Sequence, residues 1–203
     1  MIKRSSKQFV DQLINNNLSW KILDIGCGYG AHKKATTICD KLDLKDFYKD
    51  KNFLQIHDDI LPFKDKEFDF VIASHVLEHV ENIDKFISEL ERISSKGYIE
   101  LPTILEDNLV FENKSDHLWQ MEFDDNLKEL IISNRIQYLE PILTVSSIKK
   151  FDEVFKQSLI LELYWEEKIN YKKIIKKVNQ TKFSRIKLLK KFFSKYLRNL
   201  LRR

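Results

Sequence analysis

The chain is predicted to be an α/β protein with a doubly wound, mainly parallel sheet, helices on both faces, and a basic amphipathic helix at its C-terminal end. Three observations carry this expectation. Ile22-Leu23-Asp24-Ile25-Gly26-Cys27-Gly28-Tyr29-Gly30 is an apolar run that breaks into a glycine-rich turn, as a buried parallel strand does at its carboxyl end. Further short apolar runs alternate with segments of helical spacing, the pattern of repeated strand–helix–strand units. Residues 168–203 hold 14 Lys plus Arg and no Asp or Glu.

The elements follow in order. Residues 5–17 place Phe9, Val10, Leu13 and Ile14 on one helical face. Residues 21–25 are the first strand, and residues 36–39, followed by Asp40, the second. A parallel crossover normally needs a dozen or more residues. The short gap from Gly30 to Thr36 therefore predicts a crossover helix cut to about one turn, or a second strand placed elsewhere. Residues 52–57 are the third strand and lead into Asp58 and Asp59. Residues 68–73 (Phe-Asp-Phe-Val-Ile-Ala) form the central fourth strand. Val76, Leu77, Val80, Ile83, Phe86, Ile87, Leu90 and Ile93 then recur at helical spacing, with Asn82 a cap for a second segment. Residues 97–101 are the fifth strand, stopped by Pro102. Beyond it, residues 119–123 and 128–132 flank Asp124-Asp125-Asn126 as a hairpin, with a helix through 127–132 the competing reading. Residues 151–155 read as helical and 159–165 as a last strand.

Composition bounds the function. A hydrophobic fraction of 43% over 203 residues suits one globular domain and excludes a disordered chain. Two cysteines, Cys27 and Cys39, do not make a disulfide framework. They lack a C-x-x-C partner, and the histidines share no ligand spacing with them, so no metal site is expected. The N-terminal residues carry no signal-peptide core, and no run has the roughly 20 apolar residues of a membrane span. A cytoplasmic location is expected. Residues 1–167 carry 21 basic and 31 acidic residues, which makes an acidic body, residues 1–167, with a basic tail, residues 168–203.

The glycine run fits two ligand classes. Gly26, Gly28 and Ala31 satisfy the loose dinucleotide pattern G-x-G-x-x-G/A. Asp24, two residues ahead of Gly26, would repel a phosphate and attract a ligand that carries an amino group. The run resembles motif I of the class I S-adenosylmethionine-dependent methyltransferases. Residues 61–80, Leu-Pro-Phe-Lys-Asp-Lys-Glu-Phe-Asp-Phe-Val-Ile-Ala-Ser-His-Val-Leu-Glu-His-Val, resemble the L-P-F-x-D-x-x-F-D-x-V segment and L-E-H helix start of its small-molecule members. The resemblance covers about residues 21–102 and implies a Rossmann-like sheet that binds S-adenosyl-L-methionine.

It also implies roles. Asp24 would act on the methionyl ammonium, and Gly26, Cys27, Gly28 and Gly30 would line the methionyl and ribose portion, with Ser74 at the end of the fourth strand. Asp40 would accept from the ribose hydroxyls, with Asp43 in reserve. Asp58 or Asp59 would accept from the adenine amine, with Ile60 on the ring. His75 and His117 are the candidates for a direct catalytic role, since a hydroxyl or amine acceptor needs a base with a near-neutral pKa. His79 is a weaker third. Each carboxylate and histidine has the plain alternative of a turn, cap or packed polar group.

The tail sets Ile186, Leu189, Phe192, Phe193, Tyr196, Leu197, Leu200 and Leu201 among Lys and Arg. Three occupants suit it: an anionic membrane surface, RNA phosphates, or the body itself. The loop after motif I, residues 97–102, and Asp116-His117-Leu118-Trp119 resemble a bacterial subgroup found with surface-glycan genes. Together these imply a small-molecule, glycan or lipid-linked sugar acceptor, at the inner membrane face. The competing readings are an RNA methyltransferase, which the acidic body disfavours, a non-catalytic S-adenosylmethionine-binding regulator, and a nicotinamide-dependent oxidoreductase, which Asp24 disfavours.

Overall fold

The computed structural model describes residues 1–57, 60–177 and 183–201. Its elements are β1 (Ile2–Arg4), α1 (Lys7–Asn15), β2 (Ile22–Ile25), β3 (Thr37–Asp40), β4 (Asn52–Gln55), β5 (Phe70–Ser74), a 3₁₀ turn (Leu77–His79), α2 (Ile83–Ile93), β6 (Lys96–Pro102), α3 (Ile104–Leu109), α4 (Asn113–Asp116), β7 (Trp119–Asp124), β8 (Glu129–Asn134), α5 (Val145–Leu159), β9 (Ile160–Glu166), β10 (Tyr171–Ile174) and α6 (Arg185–Leu200). Seven strands form one sheet in the order β1-β9-β6-β5-β2-β3-β4. The pairs from β6 to β4 are all parallel, and β9 runs antiparallel to β6 and β1. This is the expected doubly wound sheet. The chain winds outward from β2 through β3 to β4, then returns to β5 on the other side of β2. Such a reversal opens a crevice at the carboxyl ends of the two inner strands.

Period-two alternation decides what reaches that crevice. Leu23, Ile25, Val71, Ala73, Ile99 and Leu101 pack on α2 through Ile83, Phe86, Ile87, Leu90 and Ile93. Ile22, Phe70, Ile72 and Tyr98 face the other way, onto Val10 and Ile14 of α1. Asp24, Ser74 and Glu100 are in step with this second set, so they emerge together on the α1 side. Gly97 is required at the pairing of β5 with β6. A Cβ there would stand 2.5 Å from Nε1 of the fully buried Trp165 and 2.6 Å from the Val71 carbonyl oxygen.

The first crossover keeps no helix: residues 26–36 hold only two isolated turns, closed by the Gly30 amide on Cys27 O at 3.1 Å and the Ala35 amide on His32 O at 3.0 Å. Side chains do the helix's work. Thr36 Oγ1 accepts from the Ile22 amide and donates to the Ile22 carbonyl, both at 2.9 Å. Tyr48 Oη donates to Gly28 O at 2.8 Å and accepts from the Ala31 amide at 3.0 Å. The face left bare is covered by α1, with Ser6 as its N-cap.

The hairpin reading holds, with β7 antiparallel to β8. The tail needs correction, because residues 168–203 are not one helix. Tyr171–Ile174 pairs with β8 as a parallel strand, anchored by the buried Ile169, whose amide donates to Glu91 at 2.7 Å. Its half-buried residues, Tyr171 and Ile174, stand three apart with exposed lysines between them, so the ladder to β8, and not a local periodicity, makes this segment a strand. The helix is confined to Arg185–Leu200 and buries none of its residues. Among the described residues no helix is long and apolar enough to cross a membrane.

One partly buried ion pair fixes the Leu-Pro-Phe segment. Glu89 accepts from the Leu61 amide at 2.8 Å and from Arg92 Nη2 at 2.7 Å. Arg92 also donates to Phe63 O, Leu61 O and Asp65. Arg92→Met is expected to cost about 2 kcal/mol, since Glu89 would keep its charge without its partner. Urea unfolding of the two proteins measures it.

Candidate active site

The glycine turn after β2 bends back on the tip of β3. Gly26 and Cys27 donate to Cys39 O at 2.8 and 3.2 Å, and Gly26 sits at φ 63°. Asp40 closes the turn by accepting from the Gly28 amide at 2.8 Å and the Leu42 amide at 2.9 Å. Asp24 Oδ2 accepts from the His32 amide at 2.7 Å, and His32 Nε2 meets Asp11 at 2.9 Å.

Two cavities open on this turn and share Gly26. The smaller, about 120 Å³, is lined by Asp24, Cys27, Gly30, Ser74, Tyr98, Glu100 and Lys7 among others. The larger, about 480 Å³, is lined by Asp40, Leu42, Ile56, His75, His79 and Asp116 among others. Together they make a cleft across the tips of β2 and β5, at the reversal of strand order.

The cleft is acidic, and burial sets its electrostatics. Burial pushes the Asp24 carboxyl from 3.8 up to about 6, against the His32 amide and the cations of Lys51 and Lys7. Burial, with Asp24 and Asp40 nearby, takes the Cys27 thiol up to about 12, and Cys39 is raised in the same way. Both cysteines are therefore neutral thiols, and Cys27 offers the cleft backbone rather than a nucleophile.

His75 follows β5 at φ 54°, a left-handed conformation rare outside glycine. Its ring stands 3.3 Å from Glu78 and 3.6 Å from Glu100, and its side chain remains 40% exposed. Desolvation works against the ring's charge, and the carboxylates of Glu100 and Glu78 outweigh it, raising the imidazole to about 10. In return Glu100, despite its own burial, is held down at about 2. His75 is thus a cation at neutral pH, so the cleft meets it as a proton donor. The expectation of a general base at this position gives way, because two acids flank the ring.

His117 is 8% exposed and makes a 2.6 Å contact from Nδ1 to Asp107. It does not line either cavity. Its ring stands edge-on to His79 at 4.6 Å, and His79 is the ring that reaches the cleft.

The other expected positions fall as follows. Asp58 and Asp59 lie outside the described residues. Ile60 is 59% exposed and lines neither cavity, whereas Ile56 lines the larger one. Asp43 accepts from the Lys45 amide in its own turn. Lys7, Tyr98, Glu100 and Glu78 were not anticipated. For Tyr98 and Glu100 the signal is the strand alternation, which becomes readable only once β6 is placed beside β5; Lys7 and Glu78 lie on α1 and the 3₁₀ turn and have no such signal.

A family model described as a methyltransferase domain matches residues 3–142. The chain belongs to this family: it is an enzyme of the class I methyltransferases, with S-adenosylmethionine as cofactor. It is 29% identical over 188 residues to an uncharacterised protein of Methanocaldococcus jannaschii, covering 74% of this chain and 81% of that one. Among solved structures it is similar to an S-adenosylmethionine-dependent methyltransferase of Thermotoga maritima, with 20% identity over 47% of this chain and 49% of that one, and a TM-score of 0.37. It is also similar to the trans-methyltransferase CalH in complex with S-adenosylhomocysteine, with 16% identity over 47% of this chain and 36% of that one, and a TM-score of 0.41. The chain thus spans about half the length of the Thermotoga protein and about a third of CalH.

Proposed function

We propose that the enzyme transfers a methyl group to a hydroxyl of a small-molecule, glycan or lipid-linked sugar acceptor that enters past His75 and His79. The observation that carries the reading is the buried Asp24 carboxylate at the tip of β2, in a cavity joined through Gly26 to the larger cavity of Asp40 and Ile56. When bound, S-adenosylmethionine supplies a methyl carbon made electrophilic by its sulfonium. The residues suit its parts. Asp24 receives the ammonium, and Lys7 in the same cavity balances the adjoining carboxylate. Asp40 has lone pairs left for the ribose hydroxyls, and Ile56 and Leu42 wall the ring. The protein's task is then alignment. His75, as a cation, donates a hydrogen bond to the acceptor oxygen and orients it; it cannot take the hydroxyl proton, which leaves to water at the exposed mouth of the cleft as the oxygen is methylated.

Calorimetry with S-adenosylmethionine, its demethylated product and NAD tests the donor. The first two are expected to bind and NAD is not; the reverse sinks the assignment. For the acceptor, labelled cofactor incubated with source-cell extract is expected to mark a lipid or glycan fraction. Label confined to RNA would replace this acceptor class with nucleic acid.

The membrane placement rests on α6. Ile186, Leu189, Phe192, Phe193 and Tyr196 are each more than half exposed, in a segment whose charges are all basic. Each basic residue near an anionic surface adds about 1 kcal/mol, and the exposed aromatics supply the apolar part. Cosedimentation with vesicles rich in anionic lipid is expected at low salt and lost at high salt. Replacing Phe192 and Phe193 with Ser should weaken it by about tenfold or more; equal sedimentation of both proteins overturns the placement.

A further inference from the structure

The geometry points to a divalent-metal site formed by Glu78, His79 and His117, in which a first-row transition-metal ion faces the acceptor side of the cleft. One ring nitrogen from each histidine and a Glu78 oxygen lie within 4.8 Å of one another. Glu78 is 1% exposed, and neither of its oxygens has a hydrogen-bond partner. A carboxylate buried in that state is costly unless a cation joins it. His75 attracts it from 3.3 Å but is not aligned to donate.

The outer partners define which nitrogens are left. His79 Nδ1 lies 3.0 Å from the Asp116 carbonyl; a carbonyl only accepts, so Nδ1 carries the hydrogen and Nε2 presents a lone pair. His117 Nδ1 lies 2.6 Å from Asp107. Asp107 is 1% exposed and already charge-balanced by Arg135 at 3.1 Å, with Gln120 donating at 2.6 Å. With Nδ1 donating to that carboxylate, Nε2 is the His117 nitrogen left to face a metal. Histidines that bind metals are held in this way, the other ring nitrogen donating to a carboxylate or a backbone carbonyl.

The two halves of the site are also fixed in register. The Leu118 amide donates to Glu78 O at 2.7 Å, and Trp119 Nε1 donates to Val80 O at 2.8 Å. Two imidazoles and a carboxylate suit zinc and its first-row neighbours. Three protein ligands leave positions open. Since His79 lines the larger cavity beside His75 and Asp116, an acceptor hydroxyl can fill one of them. That last role rests on the methyl-transfer reading; metal binding does not. No ligand spacing along the chain announces the site, because its ligands lie on the 3₁₀ turn and on the segment leading into β7, some forty residues apart.

The test uses the full chain, stripped with chelator and titrated with Co²⁺ in the absence of cofactor. A visible absorption band that saturates at one equivalent, and that Zn²⁺ displaces, is expected. His79 is exposed, so His79→Gln should fold and should bind Co²⁺ more than tenfold more weakly. Asp107→Asn is expected to weaken binding about tenfold through the tautomer of His117. His57→Gln, an exposed position outside the site, should change nothing. No saturable band in the wild type, or an equal band in His79→Gln, overturns the proposal. Calorimetry with S-adenosylmethionine on the metal-free protein reports separately on the donor: loss of that binding with the Co²⁺ band intact would reject the donor reading and leave the metal site standing.

Discussion

Asp24→Asn is expected to make the protein more stable and nearly unable to bind its cofactor. The carboxyl is 5% exposed, and burial raises it from its ordinary 3.8 to about 6. That rise corresponds to about 3 kcal/mol set against the folded state when Asp24 is ionised. The sign follows from proton binding. The folded protein holds the Asp24 proton more tightly than the unfolded chain, so stability falls as pH climbs from about 4 to about 6 and stays at the lower level above. An Asn side chain keeps the acceptor for the His32 amide and removes the charge. At pH 7.5 a gain of about 2 kcal/mol, or roughly 4–8 °C in Tm, is expected, shrinking to nothing near pH 4. The groups facing Asp24 are His32, Lys7 and Lys51, with Cys27 and Asp40 across the turn. The cations oppose the rise without cancelling it. Cofactor binding moves the other way. Loss of a charge-assisted bond to the ammonium removes about 1.5–3 kcal/mol, roughly 10–150-fold in Kd. Melting curves over pH and calorimetry at pH 7.5 check the two halves. A variant that binds as well as wild type would show that the ammonium is held elsewhere.

The same residue shows why part of the site was legible in the sequence. Asp24 is local: a carboxylate two positions before a glycine turn, on a strand whose burial follows from its own apolar neighbours. The L-P-F segment and the helical run through Ile93 are local too, and their strand and helix form where spacing places them. What the sequence hid depends on pairing. Glu100 reaches the Asp24 cavity because Ser74 lies beside it in the β5–β6 register. Glu78 and His117 meet because the backbone of residue 118 bonds to that of residue 78. Tyr171–Ile174 carries no local strand signal, its half-buried residues standing three apart as on a helix, and only the free edge of β8 gives that strand a partner. The loop of the first crossover has no helix to announce it; a threonine and a tyrosine hydroxyl hold it instead.

Gly26→Ala should separate the backbone's part in the cleft from the side chains' part. Gly26 sits at φ 63°, which costs an L residue roughly 1–2 kcal/mol. A Cβ there would also stand 2.5 Å from Val76 Cγ2. Valine is stiff at χ1 and cannot swing that methyl aside cheaply, so the contact adds strain of about 1–2 kcal/mol. The total expected loss is about 3 kcal/mol in urea unfolding. Cofactor binding should fall as well, since Gly26 lines both cavities and joins them. Adding Val76→Ala divides the effect. The double variant should lose less stability than the sum of the two single changes, because the clash needs both side chains. Its cofactor binding should stay impaired, because the new methyl group still narrows the passage between the cavities. Full recovery of binding in the double variant would mean that Val76, and not the turn, controls entry. Simple additivity would mean that the clash is relieved by movement of the backbone, and that the turn is softer than its hydrogen bonds to Cys39 imply.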